Sequence, residues 1–292
     1  MKIKIFRPVM FVLYGLALVF VAAVAIHGWD YYALPLIERP RNPLHTFLKP
    51  GGLWGHGFGI FGSTMILLLF LYSARKRELF CLRFGRMNRW LNVHIFFGIT
   101  GPVLITLHTA MKFNGIVSIS YFSMLAVMFS GILGRYIYMQ IPRNPAGEAM
   151  TMEQITAEDR RITAILVEKY QLPPKIIRHI QEISGAHKAR SRKGLSALFA
   201  ILIDDLYRPA LFRELRRMLR EQNLRIPPAA IEHIVRTAKK KSVLLRKCAF
   251  LDTVNNLFHY WHVIHKPFAY VMIIIMFLHI LLTVTFGYRW IF

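Results

Sequence analysis

The chain has 292 residues, 55% of them hydrophobic and only 18% charged, with a mean hydropathy of +0.39. So apolar and charge-poor a composition excludes an ordinary water-soluble domain and points to an integral membrane protein. The 38 Lys and Arg against 15 Asp and Glu give a formal charge of +23; on an apolar chain this reads as loops facing an anionic leaflet, and no nucleic-acid motif or aromatic stacking platform accompanies it.

A spanning helix needs about 20 mostly apolar residues, because only a helix satisfies its own backbone in lipid. Five stretches qualify, near 8–27, 54–73, 91–111, 119–141 and 263–286, and predict an all-α integral membrane bundle. The first follows Lys2, Lys4 and Arg7, and no small-x-small cleavage pattern precedes Asp30, so it is read as a retained helix. Arg75, Lys76, Arg77, Arg83, Arg86 and Arg89 crowd the link between the second and third spans, whereas 112–118 carries only Lys112. By the positive-inside rule that link is cytoplasmic, as are the N-terminus and the long segment before the fifth span. The expected organisation is therefore a four-helix membrane part over 1–141, an insertion over 142–260, and the fifth span with a short outer end over 261–292.

The insertion holds 22 Lys and Arg against 12 Asp and Glu and is expected to be a basic helical cytoplasmic domain. Pro173 with Pro174, and Pro227 with Pro228, precede apolar-periodic runs as prolines do at helix starts. Thr156 with Asp159 reads as an N-cap pair for a helix near 157–170. An amphipathic helix from about Ala229 is expected to run through Lys239–Lys241 and Asn255–Asn256 towards the fifth span, its basic face either solvated or on the lipid surface.

Ionisable side chains inside spans are functional candidates. His94 and His108 fall on the third span, His265 and His279 on the fifth, and both pairs are 14 residues apart. Fourteen steps of 100° leave about 40° from four full turns, so each pair shares one helix face with its members about 21 Å apart along the axis. Both helices run the same way, so His94 and His265 share the inner depth and His108 and His279 the outer one. Gly98 and Gly101 lie between the first pair and remove side chains that would hold off a flat macrocycle; Ala269, Met272 and Met276 hold the matching positions on the fifth span. Two bis-histidine sites for haem iron follow, and with both axial positions filled such iron favours electron transfer over substrate binding. Two histidines per site are too few for zinc. Cys81 and Cys248 form no C-x-x-C or C-x-x-C-H motif, which excludes a c-type haem and a self-contained iron–sulfur cluster.

His56, in the glycine-rich stretch from Gly51 to Gly59, is a candidate for a quinone head, a third haem or simple helix packing, and His27 and His45 are candidates to join it. Arg135 is a candidate partner for an inner haem propionate or for lipid phosphate, and Arg89 and Lys266 are similar. His262 and His259 stand off the His279 face, and His179, His187 and His233 are read as surface residues.

The paired H-x13-H pattern, with Leu91-Asn92-Val93-His94 and Trp261-His262-Val263-Ile264-His265-Lys266-Pro267, resembles the di-haem transmembrane core of the ferric reductase and NADPH oxidase superfamily, and its bacterial relatives. The resemblance covers about 54–141 and 261–286. It implies two b haems held by His94, His108, His265 and His279. It departs from the family in the long insertion and in showing no flavin or nicotinamide module after the fifth span. The expected function is thus a membrane cytochrome b subunit. It would pass electrons between a separate iron–sulfur, flavin or multihaem c-type cytochrome protein and the quinone pool, or across the membrane, in a bacterial inner membrane. Two alternatives stand beside it: a stand-alone transmembrane reductase of ferric iron or oxygen, and a haem-free proton-coupled transporter or structural subunit whose histidines form a relay.

Overall fold

The computed structural model describes residues 5–79, 84–144, 148–186, 192–221 and 227–286. Lys2, Lys4, Cys81, Arg83, His187 and residues 287–292 lie outside them. In chain order the helices are α1 (Phe6–His27), α2 (Trp29–Ala33), α3 (His45–Leu48), α4 (Leu53–Lys76), α5 (Met87–Thr109), α6 (Ile116–Gln140), α7 (Met152–Ala164), α8 (Pro174–Ile183), α9 (Leu195–Glu221), α10 (Pro228–Ala249) and α11 (Leu251–Thr285). Among the described residues there is no strand beyond an isolated bridge between Arg143 and Ala149. Five helices, α1, α4, α5, α6 and α11, are long and apolar enough to cross a membrane, and the protein is an all-α, multi-pass membrane helix bundle.

The chain divides into two compact units, one of residues 1–132 with 263–292 and the other of 133–262. In the first, lipid is as apolar as leucine, so association depends on close packing and internal hydrogen bonds. Ile66 of α4, Tyr121 and Met124 of α6, and Met272 and Met276 of α11 form a shared core. Ser120 of α6 donates to the Met272 carbonyl of α11 at 2.9 Å. α5 lies against α4 where glycines face each other: a Cβ on Gly101 would sit 3.3 Å from the Gly62 carbonyl oxygen, and one on Gly62 would meet Ile105 at 2.9 Å. α5 ends on two left-handed residues, Ala110 and Met111, a conformation costly for side chains other than glycine. The buried Arg39 holds this end, donating to the carbonyls of Ala110, Tyr32 and Leu34.

In the second unit the apolar spacing builds an ordinary core. Ile162, Leu166, Ile176, Ile180, Leu215, Leu219, Ile234 and Ala238 draw together α7 to α10. A second cluster joins Ile137 and Ile141 at the end of α6 to Ala197, Leu198 and Ile201 of α9, and to Phe250 and Val254 at the start of α11.

Two local expectations are corrected here. The first helix of the insertion starts five residues earlier than Thr156 suggested: Thr151 accepts from the Gln154 N–H, and the Gln154 side chain accepts from the Thr151 N–H, a complete capping box. Thr156 instead bonds back to the Met152 carbonyl inside the helix, and Asp159 takes the Lys241 ammonium at 2.5 Å. The helix expected to reach Asn255 stops at Ala249, and α11 begins afresh at Leu251. Lys241 is not part of a basic face; it is buried against Asp159 and Thr163.

Candidate functional site

The four histidines fall as the spacing requires, His94 and His108 on α5, His265 and His279 on α11. All four are at least partly buried although their helices expose apolar side chains. His94 places Nδ1 3.2 Å from the Leu69 carbonyl and His108 places Nδ1 2.8 Å from the Gly55 carbonyl, both on α4. A carbonyl only accepts, so both imidazoles carry their proton on Nδ1 and keep the Nε2 lone pair. His265 Nδ1 lies 2.7 Å from Ser130 Oγ of α6, whose hydroxyl donates to the Val127 carbonyl at 3.0 Å. His94 and His108 are thus held at Nδ1 by carbonyls of α4, with Nε2 the unprotonated nitrogen of each neutral ring, and His265 is held at Nδ1 by Ser130.

His108 and His279 meet across the bundle with ring centroids 6.3 Å apart and planes at 63°. His56 lies on α4 one residue beyond Gly55, whose carbonyl meets the His108 ring. The glycines of α4 make this possible: Gly55 supplies the carbonyl under His108, and a Cβ on Gly59 would stand 2.7 Å from His108 Nδ1. The glycine-rich stretch therefore serves the His108 ring directly. Gly59, Leu69 and Ser130 are the participants that sequence reasoning missed. The repeat of Gly55, Gly59 and Gly62 on one helix face was the available signal for the first; nothing local marks the other two.

At the other depth, His94 has the Tyr72 ring at 5.0 Å, and Gly131 of α6 leaves room beside the His265 ring. Gly98 has only Leu69 within ordinary contact. Gly101 departs from the expectation of an open slot: its surroundings are Gly62, Ile66 and Met65 of α4, so its missing side chain serves helix packing. Met272 and Met276 are buried beside the histidine face of α11.

The remaining candidates separate. His27 is exposed at the last turn of α1. His45 Nδ1 faces the Tyr31 hydroxyl at 3.3 Å. His262 donates to the Phe258 carbonyl and sits against the Phe258 and Trp261 rings. Arg135 lies over the Tyr138 ring at 5.7 Å and Arg89 over Phe6 at 5.5 Å. Among the described residues no three His, Cys, Asp or Glu side chains converge as ligands for a bare metal ion. No protein-family model matches the chain, and the comparisons with curated proteins and with solved structures give no match either.

Proposed function

We propose that this chain is a di-haem cytochrome b subunit passing electrons between a separate redox protein and the quinone pool or across a bacterial cytoplasmic membrane. The observation that carries the reading is the His108–His279 pair. The two rings stand with centroids 6.3 Å apart, near enough for both imidazoles to hold one haem iron. The Nδ1 anchoring of His94, His108 and His265 supports the same role, because it leaves Nε2 as the ligating atom and fixes each ring's direction. His94 and His265 would hold the second haem, and Arg89 would meet a propionate.

Bound haem, held by these histidines, would supply one-electron chemistry. The chain's own part is to hold the rings, keep Nε2 unprotonated and exclude water by the surrounding Met, Ile and Phe side chains. His56, close to the His108–His279 pair, is the place for a quinone head or a third haem. The cluster of basic residues between α4 and α5 supports an orientation with that link, the N-terminus and the basic insertion in the cytoplasm.

The test is a dithionite-minus-oxidised spectrum with a pyridine haemochrome count on the purified chain and on four variants. Two b haems per chain are expected, one lost in His108→Ala and His279→Ala, the other in His94→Ala and His265→Ala. A folded chain purified from a haem-sufficient host with no haem band overturns the reading and assigns the histidines of α4, α5 and α11 to a proton path or to helix packing. Reduction of a ferric chelate by haem-loaded protein with a donor and no quinone would favour the stand-alone reductase.

A further inference from the structure

α9 has two faces that only the structure separates. Ala197, Leu198 and Ile201 pack inward, against Ile137 and Ile141 where α6 ends and Phe250 and Val254 where α11 begins. The opposite face carries Leu195, Phe199, Leu202, Ile203, Leu206 and Tyr207, which at 100° per residue fall within an arc of about 140°. All six are exposed, Phe199 at 65% and Leu206 at 76%. A continuous exposed apolar stripe of this kind marks an interaction surface. No acidic residue lies on the stripe: Asp205 is turned inward to Arg246, and Asp204 lies on the far side of the helix. Further along, the same arc changes character. Arg213, Arg217 and Arg220 occupy it together with Glu214 and Glu221, all exposed, and Arg217 pairs with Glu221 at 3.4 Å, so one helix face is apolar for its first four turns and charged, with one arginine in excess, for its last two.

We infer that this face of α9 lies in the lipid headgroup boundary, its apolar turns against acyl chains and its arginines on phosphates of an anionic phospholipid surface. Three observations select lipid as the occupant. The inward face of α9 is packed on residues at the ends of two spanning helices, α6 and α11, which sets it at the level where they leave the bilayer. α11, with 35 residues, is about 52 Å long against a hydrocarbon core of about 30 Å, so its first turns, where α9 packs, stand outside the core. Leu133 and Met139 of α6 and Tyr260 of α11 are also exposed in the same unit, so the two spanning helices that α9 packs against carry uncovered apolar surface there too. Arginines beside an apolar stripe match an anionic leaflet. The helix from Ala229, the candidate by sequence, lacks such a face: Ile231, Ile234, Val235 and Ala238 are consumed by the core.

The test uses the full chain in phosphatidylcholine nanodiscs containing phosphatidylglycerol, with native cysteines replaced by serine and nitroxides placed singly at Phe199→Cys and Leu206→Cys. Lys175→Cys, on an exposed position of α8, is the aqueous control. Oxygen is expected to collide with the label more often than a nickel chelate at both α9 positions, and less often at position 175. A water-like response at either α9 position overturns the inference. Exclusion of both probes also overturns it, and assigns the face to a protein partner or a second copy. Haem content plays no part in this readout, so the outcome is independent of the redox reading.

Discussion

Among the described residues of α1 only Met10 is buried, while Phe11, Leu18 and Val19 face outward; in α8 Ile176 and Ile180 are fully enclosed, while Lys175 and Arg178 are exposed. The same apolar residue types thus stand outside in one unit and inside in the other. Burial drives folding only where the alternative is water. Between spanning helices, cohesion passes to contacts that lipid cannot replace: glycine against glycine on α4 and α5, Ser120 on the Met272 carbonyl, and histidine on carbonyls of α4. This is why the membrane unit holds its polar residues at its centre, where a site can form.

Substitutions at matched positions would break or sharpen that contrast. Ile180→Ala removes a fully buried side chain from the water-facing core and should cost about 2–5 kcal/mol, read as earlier loss of hydrogen-exchange protection in α8 to α10. Leu18→Ala on the exposed face of α1 should change stability by less than about 0.5 kcal/mol; comparable losses at the two sites would erase the distinction. Gly59→Leu should be the costly change inside the membrane, by about 1–3 kcal/mol, because the His108 ring fills the space the new side chain needs. On the cytochrome reading the same variant loses the haem held by His108 and keeps the other. A small effect of the opposite sign is expected at Tyr32, whose buried hydroxyl has no hydrogen-bond partner among the described residues. Tyr32→Phe should leave stability unchanged or raise it by about 1 kcal/mol in thermal unfolding.

Tyr32 also sets an alkaline limit. Burial, and then the neighbouring Tyr31, push its phenol up to about 12, whereas an unfolded phenol ionises near pH 10. Between those values the unfolded chain has released a proton that the folded chain keeps, so stability falls as pH rises through that window. Tyr32→Phe should flatten this decline in unfolding midpoints measured from pH 9 to 12. An unchanged slope would assign the decline to other groups, Tyr31 first.

The structure also ranks what was legible in advance. The five spans were, since about 20 apolar residues in a row have few other uses, although α11 starts twelve residues ahead of the expected 263 because Leu251–His262 continues the helix past its apolar part. The histidine faces were legible because a 14-residue spacing is a property of one helix. Gly101 was misread for the complementary reason: its face was correctly placed, but which helix would cover that face is not a local property. Thr156 yielded to Thr151 because capping depends on where the chain turns before the helix, here after the Arg143–Ala149 bridge.

By itself, then, the sequence determined which segments are long and apolar enough to cross a membrane, the all-helical class, and which histidines share a helix face; each follows from composition or from a period along a single helix. Only the tertiary structure decided that Leu69, Gly55 and Ser130 contact the imidazole rings, that the His108 and His279 rings stand 6.3 Å apart, and that α9 rather than α10 keeps an uncovered apolar stripe. Those facts join residues as many as 171 positions apart, His108 with His279. They depend on which helices pack together, and helical periodicity specifies a face without specifying its partner.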